Sequence, residues 1–191
     1  MPQPLKINEI FYSLQGEGPF SGCAAVFVRL ATCSMLCPWC DTKYAQKVNF
    51  LMTEKEILKE IKKYPAKLVI ITGGEPCEQN ILPLAKMLKA KKYQVHLETN
   101  GSIDIDRKYF DFVAVSPKKY VASKMLKKAD IIKLVIDKKT PLKEILKYKK
   151  YNLYLQPNSA KKENTAKCVQ LVKKYPKMHL SVQMHKLIKI K

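Results

Sequence analysis

The sequence predicts an α/β fold: an open, partial parallel β/α barrel of about six strands, built as one domain over residues 1–191. Three observations predict it. Strand-length runs rich in Ile, Leu and Val recur, and Leu68–Ile71 is unbroken, as in strands buried on both faces of a parallel sheet. Helical patterns lie between these runs and supply the right-handed crossovers that parallel strands require. Several strands end in glycine or polar clusters, at the edge where such sheets bind ligands. A closed barrel of eight units needs about 250 residues, more than the 191 available.

Each element has a local reason. Ile7–Leu14 reads as a strand or extended arm entering Gln15-Gly16-Glu17-Gly18-Pro19, a polar loop broken by glycines. Cys23–Ala31 is a buried strand interrupted only by Arg29. A guanidinium near the end of a buried strand is costly unless paired, so Arg29 meets either a protein carboxylate or an anionic ligand. Thr53–Tyr64 forms an amphipathic helix: Thr53 and Glu56 have capping-box spacing, Ile57, Leu58 and Ile61 are its apolar residues, and Pro65 stops it. Leu68–Ile71 ends in Thr72-Gly73-Gly74-Glu75-Pro76, whose glycines suit either a tight turn or close approach of the backbone to a ligand. Helix Ile81–Lys92 leads to strand Val95–Glu98, closed by Glu98-Thr99-Asn100-Gly101. Strand Phe112–Val115 ends in Ser116-Pro117-Lys118. Strand Ile131–Ile136, helix Leu142–Tyr148 and strand Leu153–Leu155, ending in Gln156-Pro157, continue the rhythm. Helix Ala160–Tyr175 and strand His179–Val182 complete it.

The chain carries 36 Lys and Arg against 16 Asp and Glu, a net charge of +20 that would draw nucleic acid or an anionic membrane face. The lysines, however, are spread over apparent helices, at Lys59, Lys62, Lys63, Lys86, Lys89, Lys91, Lys92, Lys147, Lys149 and Lys150, with little aromatic interleaving. They read as solvated helix faces, and direct nucleic-acid recognition is not expected. No window resembles a membrane span, and Met1–Lys6 lacks the apolar core of a secretory signal, which predicts a cytoplasmic protein. Six cysteines, three of them clustered, fit a reducing compartment better than a disulfide framework.

Cys33, Cys37 and Cys40 follow a C-x3-C-x2-C spacing, which lets one loop curl three thiolates around an inorganic centre. Iron–sulfur cubanes normally take four thiolates, so three leave one iron open to a ligand that is not protein. The alternative is structural zinc with a fourth ligand from Cys23, Cys77 or His96. Zinc sites usually combine two C-x2-C pairs, and only Cys37–Cys40 has that spacing here. Outside the cluster, Cys23, Cys77 and Cys168 read as small buried residues.

With Trp39 before the last thiol and Gly73-Gly74-Glu75-Pro76 closing the next core strand, the cysteine motif resembles the radical S-adenosylmethionine superfamily. Within it, Phe11–Gly18, Phe27–Leu30, Cys40-Asp41-Thr42 and Glu98–Gly101 are similar to the 7-carboxy-7-deazaguanine synthase family. The similarity runs from about Ile7 to Pro117 and returns at Gln156-Pro157 and Gln183-Met184-His185-Lys186.

This resemblance implies a carbon–nitrogen lyase that uses a [4Fe-4S] cluster, S-adenosylmethionine and Mg2+. Cys33, Cys37 and Cys40 would hold three irons, and the amino and carboxylate groups of S-adenosylmethionine would chelate the fourth. Reductive cleavage would yield a 5′-deoxyadenosyl radical that abstracts hydrogen from 6-carboxy-5,6,7,8-tetrahydropterin. That pterin would contract to 7-carboxy-7-deazaguanine with loss of ammonia, on the route to queuosine and archaeosine. By the same resemblance Trp39, Cys40 and Asp41 lie near the adenosine, the Gly73-Gly74-Glu75 backbone follows the methionine end, and Glu98 reaches the ribose. Ser116, Pro117, Lys118 and Gln156 complete that pocket. Leu14, Gln15, Gly16, Glu17 and Thr72 match ring-binding positions, and Arg29 takes the pterin carboxylate. Thr42 matches the hydroxyl that helps hold magnesium, although it could instead cap the next element. A flavodoxin-like or ferredoxin-like electron donor and a homodimer are implied as well. Many members finish near a proline that closes the substrate site; Leu187-Ile188-Lys189-Ile190-Lys191 departs from that pattern and leaves the contact open. Two further readings are a glycyl-radical-enzyme activase, which shares the cysteine spacing, and a zinc-stabilised basic nucleic-acid-binding module.

Overall fold

Strands with apolar side chains on both faces join in one continuous sheet. The computed structural model describes residues 3–191, so Met1 and Pro2, part of the stretch read for a targeting signal, lie outside the described residues. The strands are β1 (Leu5–Leu14), β2 (Ala24–Leu30), β3 (Phe50–Met52), β4 (Leu68–Gly73), β5 (Gln94–Thr99), β6 (Phe112–Val115), β7 (Ile131–Ile136), β8 (Leu153–Pro157) and β9 (Met178–Leu180). They pair in the order β3-β1-β2-β4-β5-β6-β7-β8-β9, an open sheet. The six expected core strands are the parallel run β2 and β4 to β8, extended at its edge by the three-residue β9. On the other side β1 runs antiparallel to β2, and β3 antiparallel to β1.

The helices are α1 (Glu54–Ile61), α2 (Leu82–Ala90), α3 (Ser123–Lys128), α4 (Leu142–Leu146), α5 (Lys162–Lys174) and α6 (Met184–Leu187). The capping box predicted at the start of α1 forms, with Glu56 N donating to Thr53 Oγ1 and Thr53 N to the Glu56 side chain. Three short elements have no sequence forecast: β3, α3 and α6. Neither short helix has a capping side chain, and β3 exists because Phe50, Leu51 and Met52 pair with Ile7, Lys6 and Leu5.

Along each parallel strand one set of alternate residues packs under the helices. Val26, Val28 and Leu30, Val69 and Ile71, Val95 and Leu97, and Ile132, Leu134 and Ile136 belong to the main core with Ile57 and Ile61 of α1 and Leu84 and Leu88 of α2. Cys77 and Cys168 are buried in that core as expected. Cys23 is not: it is exposed at the rim, where the chain turns through Gly22 before entering β2. The lysines assigned to solvated helix faces are exposed, apart from Lys89, which is half-buried against Asp111.

The ends of β2 and β4 touch through backbone. Gly74 N donates to Leu30 O at 3.0 Å and Glu75 N to Thr32 O at 2.9 Å. A Cβ on Gly73, whose φ is +138°, would stand 2.2 Å from Leu30 O, and one on Gly74 would stand 1.8 Å from Thr32 O. Both glycines are therefore required by protein packing. Gly74→Ala is expected to lower the unfolding free energy by about 1–3 kcal/mol, because a backbone oxygen has to move; urea unfolding checks this.

Candidate active site

The carboxyl ends of the parallel strands surround one cavity of about 460 Å3, large enough for small organic ligands. Its floor is the sheet face opposite the helices. That face takes the residues between the core positions: Phe27 and Arg29 of β2, Ile70 and Thr72 of β4, Glu98 of β5, Lys133 of β7 and Gln156 of β8. In the β2–β4 ladder Arg29 stands directly opposite Thr72. All five polar residues line the cavity.

The loop after β2 forms the facing wall, contributing Cys33, Cys37, Trp39, Cys40, Asp41 and Thr42. It lacks regular structure and is held at its base by side chains. Gln46 donates to Cys33 O at 3.0 Å and accepts from Cys33 N at 3.2 Å, while Ser34 Oγ donates to Glu78 at 2.6 Å. Thr42 occupies the N-cap position of a single 3-10 turn, Lys43–Gln46, yet its side chain makes no capping bond. Its hydroxyl lies 3.4 Å from Cys40 Sγ, at the cavity.

Leu14, Gln15, Gly16 and Glu17 enter from the loop after β1, Gly73 and Gly74 from the end of β4, and Ser116 and Lys118 from the end of β6. Lys118 Nζ donates to Ser116 Oγ at 2.8 Å, and burial together with the Lys133 charge pulls its pKa down. Gln15 and Thr72 both donate to Glu98, at 3.0 and 3.1 Å. Two forecast residues do not line the cavity, Glu75 and Pro117. Glu75 is 1% exposed and turned into the protein, where it accepts from Thr99 Oγ1 at 2.6 Å, Asn100 N at 2.7 Å and Cys77 N at 3.0 Å. Burial pushes its carboxyl pKa up against these three donors.

Of the two readings open in the sequence for Arg29, the structure shows the ion pair with a protein carboxylate. Its Nε donates to Glu9 Oε1 at 2.9 Å, and its guanidinium lies over the Phe11 and Tyr44 rings. Its two terminal nitrogens have no protein partner among the described residues, and Arg29 lines the cavity. The candidate fourth zinc ligands lie elsewhere. Cys77 bonds Thr99, His96 packs against Phe20 and Phe112, and Cys23 sits at the rim; none of the three lines the cavity.

The Radical SAM superfamily model matches residues 28–174. The 7-carboxy-7-deazaguanine synthase of Bacteroides thetaiotaomicron is 42% identical over 188 residues, covering 97% of this chain and 98% of that one. That of Aquifex aeolicus is 34% identical over 98% of this chain and 94% of its own. The crystal structure of QueE from Escherichia coli superposes with a TM-score of 0.83 at 29% identity, covering 96% and 95% of the two chains. The chain belongs to the 7-carboxy-7-deazaguanine synthase family of radical SAM enzymes.

Membership in the synthase family implies a [4Fe-4S] cluster and S-adenosylmethionine, and the donor set fits them. Three soft thiol donors, Cys33, Cys37 and Cys40, line the cavity, although among the described residues no three His, Cys, Asp or Glu side chains are gathered closely enough to hold a metal ion as they stand. Asn100, another lining residue, has a buried amide nitrogen, Nδ2, with no partner among the described residues. The soft thiols suit an iron–sulfur centre, and the unpartnered amide suits an acceptor from outside the polypeptide.

Lys133 also lines this cavity and is not among the site residues expected from the sequence. Lys133 is 7% exposed and contacts Glu17 directly, with Glu98 Oε1 at 3.7 Å. Glu17 also accepts from Gln183 at 2.8 Å and Gln156 at 3.1 Å. Burial would raise the Glu17 carboxyl, but the Lys133 ammonium outweighs it and holds the group below the usual carboxylate range. Likewise burial would lower Lys133, and the two carboxylates raise it instead. Gln183 and Lys186 reach Asp41 at 2.7 Å each, overcoming its burial and holding its pKa at about 2. The signal was a lysine inside an apolar strand, the same argument that singled out Arg29. His185 packs on Gly16, where a Cβ would come 2.0 Å from His185 Nδ1.

Lys133→Met leaves Glu17 buried and unpaired, so unfolding free energy at neutral pH should fall by about 3–5 kcal/mol. Because the folded Glu17 pKa lies below its unfolded value, the stabilisation from pairing is complete above the ordinary carboxylate range and is lost as pH falls through the lowered pKa. The difference between wild type and variant should therefore narrow on acidification, as urea titrations at a series of pH values will show.

Proposed function

We propose that the protein converts 6-carboxy-5,6,7,8-tetrahydropterin to 7-carboxy-7-deazaguanine with loss of ammonia, a step in 7-deazapurine biosynthesis leading to queuosine or archaeosine. The observation that carries this reading is Arg29, a cation with two unengaged nitrogens in the same cavity as the three cluster thiols. The names of its family relatives support it. Cys33, Cys37 and Cys40 would hold the cluster. Once bound, cluster and S-adenosylmethionine supply one-electron cleavage of a sulfonium and, through it, hydrogen abstraction.

The remaining work belongs to binding and orientation. Glu9 keeps Arg29 pointed along the sheet by occupying Nε, which leaves the terminal nitrogens for a bidentate bond to the pterin carboxylate. Glu17, kept ionised by Lys133, accepts N–H bonds from the pterin ring, with Leu14, Gln15, Gly16 and Thr72 around it. Glu98 accepts from the cofactor ribose, while Trp39, Asp41, Gly73, Gly74, Ser116, Lys118 and Gln156 enclose the cofactor and exclude water. Pro117 and Glu75 shape that wall from behind. The Thr42 hydroxyl, unused by its own turn, supplies one oxygen for Mg2+, a hard ion that keeps several waters.

Residues 1–191 act in this proposal as one domain, paired as a homodimer in the cytoplasm. No helix of the described residues is long and apolar enough to cross a membrane. A flavodoxin-like or ferredoxin-like carrier provides the electron.

Reconstituted protein incubated anaerobically with reductant, S-adenosylmethionine, Mg2+ and carboxytetrahydropterin should form deazaguanine product; cofactor cleavage with no such product would overturn the assignment. In the same assay Arg29→Ala should raise KM for the pterin about 10- to 100-fold while cofactor cleavage continues. Glu9 retains Lys191 as a partner at 2.5 Å, so folding should survive this substitution.

A further inference from the structure

We propose that Asn100 is a cofactor-binding residue whose side-chain amide donates a hydrogen bond to an oxygen on the methionine or ribose part of bound S-adenosylmethionine. The inference rests on the cofactor reading above and adds a residue to it.

Asn100 follows β5 and is 6% exposed, yet it lines the cavity. Every other polar group of the residue that takes part in this turn is fixed by protein. Its backbone N donates to Glu75 Oε2 at 2.7 Å, and its Oδ1 accepts from Ser102 N at 2.7 Å. A backbone N–H can only donate, so this bond determines which end of the amide is oxygen and aims Nδ2 away from the turn. Nδ2 is buried and has no partner among the described residues. An amide donor left in that condition costs about 1–3 kcal/mol, which a ligand acceptor would remove.

Strand alternation narrows the choice of acceptor. Glu98 and Asn100 lie two residues apart on the same face, about 7 Å along the strand direction, with Thr99 turned inward between them to Glu75. Asn100 is the outer of the two. Its neighbouring strand ends are Gly73 and Gly74 of β4 and Ser116 after β6, whose N–H donates to Thr99 O at 2.8 Å. If Glu98 takes the ribose hydroxyls, an amide one pleat further out, beside Gly74, reaches oxygens from the ribose to the methionine carboxylate. The local turn alone does not require this amide. Asp, and more weakly Ser, can also accept from Ser102 N, and only Asn adds an amide donor.

The test uses Asn100→Ser, which keeps an oxygen for the turn without new charge, and Asn100→Asp, which keeps size and turn but replaces the donor with an acceptor. Calorimetric titration of the full, cluster-reconstituted, unreduced protein with S-adenosylmethionine should give roughly tenfold weaker binding for both variants. Thermal unfolding of the ligand-free Asn100→Ser protein should stay close to wild type, whereas Asn100→Asp, which buries a carboxylate beside Glu75, should unfold at lower temperature. Binding within twofold of wild type in either variant would overturn the proposal. A wild-type protein that fails to bind would instead overturn the cofactor reading itself. 5′-Methylthioadenosine, which keeps the ribose and lacks the amino acid, locates the acceptor. A penalty that vanishes with it assigns the methionine oxygen, and one that persists assigns the ribose.

Discussion

A buried ammonium has to be balanced before any ligand arrives, and Lys133 is balanced by Glu17 and Glu98. That single requirement fixes much of the site. Lys133 projects from the middle of β7, so its pairing draws the loop after β1 across the sheet. Glu17 then gathers Gln156 and Gln183, and Gln183 continues to Asp41 on the thiol loop. A buried ion pair contributes little net stability compared with an apolar replacement, but it defines one arrangement among many. Here the arrangement joins the residues assigned to pterin, to ribose and to the cluster loop, so each is positioned relative to the others before binding.

The two faces of the sheet divide the work. The helix-covered face holds aliphatic residues at full packing density, and the cavity face carries one polar residue on most strands. Glu75 operates between them. By accepting from Thr99, Asn100 and Cys77 it locks the ends of β4 and β5 together, which leaves Gly73 and Gly74 at the cavity and fixes the Asn100 backbone beside them. The acidic residue of the glycine motif thus shapes the pocket wall without facing the pocket.

Much of this was legible in the chain. The thiol spacing, the capping box of α1 and the polar clusters ending each strand are short-range signals; the capping box forms, and the thiols and strand-end residues line the cavity apart from Glu75 and Pro117. Arg29 was legible as a paradox, a charge in a buried strand, and Glu9 resolves it by taking Nε while the two terminal nitrogens stay without a partner among the described residues. Lys133 posed the same paradox inside Ile131–Ile136 and passed as part of an apolar run. Cys23 was assigned to the interior by residue type, whereas its place at a rim turn leaves it exposed. The short β3, α3 and α6 carry too few residues for a periodic pattern and form by docking against neighbours already in place.

By itself, then, the sequence determined the α/β class, the parallel strands implied by its crossovers, and the loop that carries three thiols. Those features depend on neighbours a few residues apart. Only the tertiary structure decided which polar groups meet: Lys133 with Glu17 across 116 residues, Gln183 with Asp41 across 142, and Asn100 Nδ2 with no partner among the described residues. The physical reason is that such meetings follow from strand order and sheet curvature, which bring distant segments to one edge, and no local pattern encodes the distance between two side chains that only the folded sheet makes adjacent.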